Sequence, residues 1–186
     1  MFKKFMRRYG YYITAFALIL VIGLTAGVTG GGKNVEQLLE VPAGTTAIEM
    51  VSPMSSAEVL KWYSDTELFY NATLKQWESH KAVDLTSSVS PDVFAVLDGE
   101  VTDCTYSYEN GYCITINHGE GLVSKYCSLK NNESVKKGDK VKKGQKIGEI
   151  STTASNESLQ GNHLHFSIEL NGKNVDPANY ITFDNK

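Results

Sequence analysis

An uncharged, mostly apolar run covers residues 11–28 and follows a short basic segment. The run is about long enough to cross a bilayer as one helix. Four basic residues precede it, namely Lys3, Lys4, Arg7 and Arg8. Basic residues on this side predict a cytoplasmic N-terminus. The pattern therefore predicts a cytoplasmic segment (1–10), a single transmembrane helix (11–28) and an extracytoplasmic remainder.

A cleaved secretory signal peptide is the alternative interpretation of the same run. Thr25-Ala26-Gly27 offers small residues at a cleavage position. The length of the apolar run and the lack of an A-x-A exit favour a retained anchor. Both interpretations place the chain after Gly32 outside the cytoplasm.

The polar–apolar pattern after the membrane run predicts a linker or stalk over 29–53 and a folded domain over 54–183. A capping sequence at 55–58 predicts a short helix through Val59, Leu60 and Trp62. From His80 onward, short alternating or apolar stretches are separated by turn residues, with Asn110-Gly111 as the strongest hairpin signal. Such short, closely spaced strands predict a mainly β fold, a small antiparallel sheet or barrel.

A V-K-K-G repeat starts at Val135 and again at Val141, and Ile147 continues the six-residue spacing. The spacing predicts tight turns that direct the apolar residues inward and the lysines into water. A surface that attracts anionic wall polymers is the alternative role for these lysines.

Net charge and cysteine spacing add two observations on function and on the state of the thiols. The net charge of −3 gives no case for nucleic-acid binding. The three cysteines, Cys104, Cys113 and Cys127, form no C-x-x-C pair. We expect small buried thiols, with a Cys104–Cys113 bridge as the alternative.

Two short motifs carry candidate chemistry. In a strand, residues two apart share a face, so His163 and His165 project together while Leu164 and Phe166 pack the other way. In an extended segment, His80 and Asp84 also share a face. Zn²⁺ accepts imidazole nitrogen and carboxylate oxygen, and three protein ligands leave a fourth position open in catalytic sites.

With these motifs in this order, residues 77–181 resemble the lysostaphin/LytM-type zinc peptidases, which cut peptide cross-links of bacterial peptidoglycan. The matching segments also include D-G-E-V (98–101), I-N-H-G (116–119), Y-C-S-L (126–129), the V-K-K-G repeat and N-G-K (171–173). The resemblance implies a LytM-type β domain with Zn²⁺ bound by His80, Asp84 and His165. It implies that His163 is the catalytic, non-ligand histidine beside the zinc-bound water.

Two positions depart from the family pattern. The family has a second catalytic histidine in a Tyr-x-His-Leu segment, and Ser128 stands at that position here. A serine is no general base at neutral pH, and loss of such a group costs roughly 10²–10⁴ in rate. His118 is a weak candidate to replace it, because it matches a strand-end position of the family. Ala82 stands where the family usually has glycine.

Within this family the chain resembles the stage II sporulation protein Q type, especially its clostridial forms, through its anchor and residues 70–78. That resemblance implies a forespore-membrane protein that faces the intermembrane space and meets a stage III sporulation protein AH-like membrane protein during engulfment. We therefore expect a catalytically impaired zinc scaffold that binds a partner. The alternative is an active zinc endopeptidase on peptidoglycan. A biotinyl- or lipoyl-type carrier is a third interpretation, suggested by the V-K-K-G repeat and disfavoured because no Met-Lys-Met-like tripeptide is present.

Overall fold

The computed structural model describes residues 49–183, and every strand pair within them is antiparallel. The strands are β1 Glu58–Lys61, β2 Ser64–Asn71, β3 Gln76–His80, β4 Val83–Thr86, β5 Asp92–Phe94, β6 Gly99–Ser107, β7 Gly111–Gly119, β8 Leu122–Leu129, β9 Lys140–Val141, β10 Lys146–Glu149, β11 Leu164–Leu170 and β12 Lys173–Val175. Short 3₁₀ segments cover Ser155–Gln160 and Pro177–Asn179. The predicted mainly β, antiparallel fold class is confirmed.

The main sheet has the order β1-β4-β11-β8-β7-β6-β9, and β12 also pairs with β11. Two small sheets, β2–β3 and β5–β10, accompany it. Strand β11 lies between β4 and β8, so its side chains are flanked on both sides by those of neighbouring strands. A site built on β11 is therefore set in the interior of the sheet.

The core is built from the inward faces of β4, β7, β8 and β11. Tyr126 and Phe166 are fully buried, with ring centroids 5.2 Å apart. The Tyr126 hydroxyl oxygen accepts a hydrogen bond from the Val96 N–H at 3.0 Å. Full burial of an aliphatic or aromatic side chain contributes about 1.5–3 kcal/mol to stability. Packing on this face therefore stabilises the strands that carry the candidate site.

The helix predicted from the capping sequence at 55–58 is wrong, because Glu58–Lys61 forms strand β1. Its residues pair with β4, with Glu58 opposite Thr86 and Lys61 opposite Asp84. Backbone hydrogen bonds to β4 outweigh a weak local helix preference, as tertiary context commonly does.

The predicted hairpin turn at Asn110-Gly111 is present between β6 and β7. Gly111 has φ +70°, and a Cβ at this position would overlap the side chain of Thr153. Both its backbone conformation and its close packing therefore require glycine.

The V-K-K-G repeat also folds as the pattern predicts. Val135, Val141 and Ile147 are buried, and the lysines between them are exposed or ion-paired at the surface.

The expectation of three buried thiols is wrong, because Cys113 and Cys127 form a disulfide and Cys104 is free. The two bonded cysteines lie in the paired strands β7 and β8, next to the register pair Ile114 and Tyr126 and at an irregularity where the register of the two strands shifts. The pairing of the two strands brings the Cα atoms of these cysteines to 4.2 Å from each other.

The predicted cytoplasmic segment (1–10), the transmembrane helix (11–28) and most of the stalk lie outside the described residues. Residues 49–183 contain no helix that is long and apolar enough to cross a membrane. The last stalk residues already pack on the domain, since Met50 is buried and the Val51 N–H donates to the Val96 carbonyl at 3.0 Å.

Candidate metal centre

His80, Asp84 and His165 come together from three different strands. His80 ends β3, Asp84 lies in β4, and His165 lies opposite Asp84 in β11. Oδ1 of Asp84 is 3.2 Å from Nε2 of His80 and 2.9 Å from Nδ1 of His165. The structure thus brings together all three residues that the sequence proposes as ligands.

The path between His80 and Asp84 differs from the extended segment that the sequence suggests. The chain leaves β3 at His80, bends at Lys81 and Ala82, and enters β4 at Val83. Ala82 is fully buried at this bend. The two side chains therefore meet across a bend between two strands, and not because alternate residues of one strand share a face.

The orientation of the His80 ring is set by the backbone of Trp62. Nδ1 of His80 lies 3.0 Å from the Trp62 carbonyl oxygen, which leaves Nε2 directed at Asp84. Metal-binding histidines typically donate their second ring nitrogen to a carbonyl or carboxylate in this way. The contact therefore selects the tautomer that presents a free Nε2 lone pair.

His163 is fully buried just before β11, and its Nδ1 lies 2.9 Å from the Gly161 carbonyl oxygen. Its Nε2 has no hydrogen-bond partner within the described part of the chain. The same Nε2 lies 3.5 Å from Oε2 of Glu157. His163 and His165 therefore reach the same carboxylate oxygen, as expected from their shared side of the chain.

Ser128 is fully buried, and its hydroxyl donates to the Ser151 carbonyl at 2.9 Å. Its neighbour Cys127 lies opposite His165 in the sheet and is bonded to Cys113. His118 does not supply an imidazole here, because its ring nitrogens contact the Asp98 carbonyl and the Ser124 hydroxyl. Apart from the predicted ligands His80 and His165, His163 is therefore the only histidine of residues 49–183 that contacts this cluster.

Three further residues complete the cluster, and the sequence did not indicate them. Nζ of Lys61 lies 3.2 Å from Oδ2 of Asp84 and 2.6 Å from Oε1 of Glu157. Nε2 of Gln160 donates to Oδ2 of Asp84 at 3.0 Å. Glu157 and Gln160 belong to a polar 3₁₀ segment, and Lys61 to an edge strand. No local pattern distinguishes them from ordinary surface residues.

The charges of the cluster support one another. Burial alone would raise the pKa of Asp84, but hydrogen bonds from His165 and His80 hold it well below its usual value. Burial likewise opposes ionisation of His165, yet Asp84 and Glu157 raise its pKa to about 9. Burial also opposes ionisation of Lys61, but its interactions with the Asp84 and Glu157 carboxylates outweigh that effect and raise its pKa. The cluster is thus a largely buried network of ion pairs.

The donor set also fits a zinc ion. Two imidazole nitrogens and carboxylate oxygen are the ligands that Zn²⁺ prefers among non-sulfur donors. Donors at about 2.0–2.1 Å from a tetrahedral zinc lie roughly 3.3 Å from one another. The His80–Asp84 and His165–Asp84 distances of 3.2 and 2.9 Å lie close to that value. The fit supports the assignment of these three residues as metal ligands, which remains a prediction.

A groove of about 360 Å³ opens beside the cluster. Its walls include Leu60, Phe69, Tyr70 and Leu159, and it also borders Lys61 and Gln160. The last two residues both contact Asp84. The groove and the candidate metal centre therefore share residues.

A model of the family described as Peptidase family M23 matches residues 78–177. Stage II sporulation protein Q of Bacillus subtilis (strain 168) is 30% identical over 153 residues, which are 81% of this chain and 52% of that protein. An uncharacterized metalloprotease of Buchnera aphidicola is 32% identical over 61% of this chain and 29% of its own length. Peptidoglycan DD-endopeptidase ShyC of Vibrio cholerae is 32% identical over 55% of this chain and 23% of its length. The chain thus spans about half or less of the curated relatives it matches.

Solved structures with the same fold fall into two groups. The SpoIIQ–SpoIIIAH pore-forming complex contains a chain that is 28% identical, with a TM-score of 0.63, over 73% of this chain and 92% of that one. A second SpoIIIAH–SpoIIQ complex is 29% identical, with a TM-score of 0.60, over 71% and 99%. The catalytic domain of lysostaphin from Staphylococcus simulans is 26% identical, with a TM-score of 0.52, over 64% and 88%. The predicted LytM-type fold is therefore confirmed.

Proposed function

Because the chain belongs to peptidase family M23, we propose that it is a zinc-binding scaffold that docks a partner protein and has lost efficient peptide hydrolysis. The observation that carries the proposal is the position of Ser128. Its hydroxyl is buried and bonded to the Ser151 carbonyl, so it offers no proton-accepting group to a substrate. One of the two imidazoles that such a site uses to move protons is therefore missing.

The metal keeps a structural purpose in this proposal. Bound zinc would supply a divalent positive charge and Lewis acidity at this point. His80, Asp84 and His165 would hold it, and their contacts join β3, β4 and β11 at one point. Lys61 and Gln160 connect the same point to the adjacent groove. Metal binding would thereby fix the shape of a recognition surface.

The β2–β3 hairpin supplies the most apolar part of that surface. Leu68, Tyr70, Leu74 and Trp77 are exposed, with Trp77 66% accessible. Tyr70 and Trp77 lie opposite each other with ring centroids 5.5 Å apart. Exposed clusters of large apolar side chains mark interaction sites, and aromatic residues dominate binding hot spots. The hairpin is thus suited to a protein partner.

The partner proposed is a stage III sporulation protein AH-like membrane protein. Similarity to chains from two complexes of SpoIIQ with SpoIIIAH supports this choice. The expected membrane helix 11–28 would anchor the protein with its N-terminus in the cytoplasm and its domain in the extracytoplasmic, intermembrane space. Peptidoglycan is a further ligand consistent with the family.

An active zinc endopeptidase that cleaves peptidoglycan cross-link peptides is the alternative. The retained His163, directed at the cluster, favours it, as does the similarity to a peptidoglycan DD-endopeptidase. The two functions differ in one measurable property, which is the rate of peptide-bond cleavage.

A digestion experiment separates them. Purified peptidoglycan is incubated with the wild-type chain, with the Ser128→His variant and with a lysostaphin-type catalytic domain, and released peptides are quantified. The scaffold proposal expects wild-type release roughly 10²–10⁴ below that of the peptidase. Wild-type cleavage at the rate of the peptidase would refute the proposal, whatever the variant does.

A binding experiment tests the partner. A stage III sporulation protein AH-like protein is titrated with the full chain, with and without a metal chelator. The proposal expects specific binding that weakens when zinc is removed. Equal binding after verified zinc removal would contradict the role given to the metal, and no binding would contradict the partner.

A further inference from the structure

Glu157 has a fixed position beside the three predicted ligands. Its backbone (φ −128°, ψ 22°) forms a non-helical kink inside the 3₁₀ segment Ser155–Gln160, and its side chain is buried. The Ser155 N–H donates to the Tyr108 carbonyl at 3.2 Å, and the Leu159 N–H donates to the Thr73 hydroxyl at 3.2 Å. The β6–β7 turn and the β2–β3 loop therefore both hold the segment in place.

The Glu157 carboxylate lies at ligand distance from the rest of the set. Oε2 of Glu157 is 3.0 Å from Nδ1 of His165, and Oε1 is 3.8 Å from Nε2 of His80. The distance from Oε2 to His165 is close to the roughly 3.3 Å that separates donors around a tetrahedral zinc, whereas the contact with His80 is made by the other carboxylate oxygen. Donor atoms of His80, Asp84, Glu157 and His165 all lie within 4.8 Å of one another.

Two independent contacts keep the carboxylate directed at the set. Lys61 bridges the outer oxygens, with Nζ 3.2 Å from Oδ2 of Asp84 and 2.6 Å from Oε1 of Glu157. His163 is fully buried, and its otherwise unpartnered Nε2 lies 3.5 Å from Oε2 of Glu157. Partners of this kind orient metal ligands and tune their affinity.

From these contacts we infer that Glu157 is a fourth protein ligand, which closes the zinc site with two imidazoles and two carboxylates. Closed four-ligand sites are structural, whereas catalytic sites keep one position for water or substrate. Two carboxylates also balance the charge of a divalent cation inside a buried cluster. The inference rests on the proposed function in that it requires a metal on His80, Asp84 and His165.

The test uses the full chain, prepared metal-free and loaded with Co²⁺, whose visible spectrum reports coordination number. Azide is the probe, because this small anion binds any exchangeable position on the metal and changes the spectrum. The variants are Glu157→Ala and, as a matched control, Glu149→Ala, which removes an ion-paired glutamate from neighbouring β10.

We expect the wild-type and Glu149→Ala spectra to stay unchanged with azide. The Glu157→Ala variant should bind Co²⁺ at least about tenfold more weakly than the wild type, and azide should change its spectrum. If Glu157→Ala does not fold, Glu157→Gln keeps the shape and should show the weaker affinity. A wild-type spectrum that changes with azide would overturn the assignment of Glu157 as a fourth ligand.

The outcomes also distinguish this inference from the proposed function. A wild-type chain that binds Co²⁺, responds to azide and still binds its partner overturns only the assignment of Glu157. A wild-type chain that binds no Co²⁺, or a His80→Ala variant that binds it equally well, overturns both.

Discussion

Lys61 and Asp84 lie opposite each other in strands β1 and β4, and Nζ of Lys61 is 3.2 Å from Oδ2 of Asp84. The row continues across the sheet, because His165 lies opposite Asp84 and Cys127 lies opposite His165. One line of side chains therefore runs from a partly buried cation through two predicted ligands to the disulfide. The chemistry of this line yields the predictions that follow.

Replacement of Lys61 by methionine should destabilise the metal-free protein more than the zinc-loaded one. The substitution leaves the Asp84 and Glu157 carboxylates buried without their cation, which costs about 3 kcal/mol. A bound zinc ion restores positive charge, so zinc should stabilise the variant more than the wild type. Urea unfolding with and without zinc measures both quantities. Lys142→Met is the control, because its pair with Asp98 is exposed and should matter little. An equal loss in both metal states would contradict the prediction.

Replacement of His80 by alanine should abolish stoichiometric zinc. The substitution removes one nitrogen donor and the tautomer selection imposed by the Trp62 carbonyl. Elemental analysis of the purified chain measures the zinc content. His118→Ala is the matched control, since this histidine contacts Asp98 and Ser124 and should leave the metal in place. One zinc ion per chain in the His80→Ala variant would show that the site lies elsewhere.

Loss of the Cys113–Cys127 bond should lower the free energy of unfolding by about 3 kcal/mol. The bond closes a loop of 14 residues, and loop closure of that size restricts the unfolded chain by about this amount. The variant carries Cys113→Ala together with Cys127→Ala, and urea unfolding measures its stability. Cys104→Ala removes the free, half-buried thiol and should cost clearly less. If reductant leaves wild-type stability unchanged, the bond does not contribute as expected.

Trp77→Ala should weaken partner binding about tenfold or more without unfolding the domain. The side chain is 66% exposed and stands opposite Tyr70 on the β2–β3 hairpin, so its loss removes contact surface but little core packing. Titration calorimetry against the proposed partner, a stage III sporulation protein AH-like protein, measures the affinity. Val89→Ala, a substitution at an equally exposed apolar residue outside the hairpin, should bind normally. Equal affinity of the two variants would move the interface away from the hairpin.

Much of the fold follows from local signals. The turn at Asn110-Gly111 and the six-residue spacing of Val135, Val141 and Ile147 predict their own conformations, because glycine and apolar spacing act within a few residues. The helix predicted at 55–62 failed for the opposite reason. Its residues meet β4 about 25 positions later, and that pairing overrides the capping signal.

The sequence by itself determined the antiparallel β character of the domain, the family, and the order of His80, Asp84, His163 and His165. These depend on residue types and short spacings. Only the tertiary structure decided that Cys113 pairs with Cys127, that Ser128 binds the Ser151 carbonyl, and that Lys61 and Glu157 meet at Asp84. Lys61 and Glu157 are 96 residues apart and carry no motif. Their contact exists because strand register and a kinked loop bring opposite charges into one buried space, where an unpaired charge is too costly to persist.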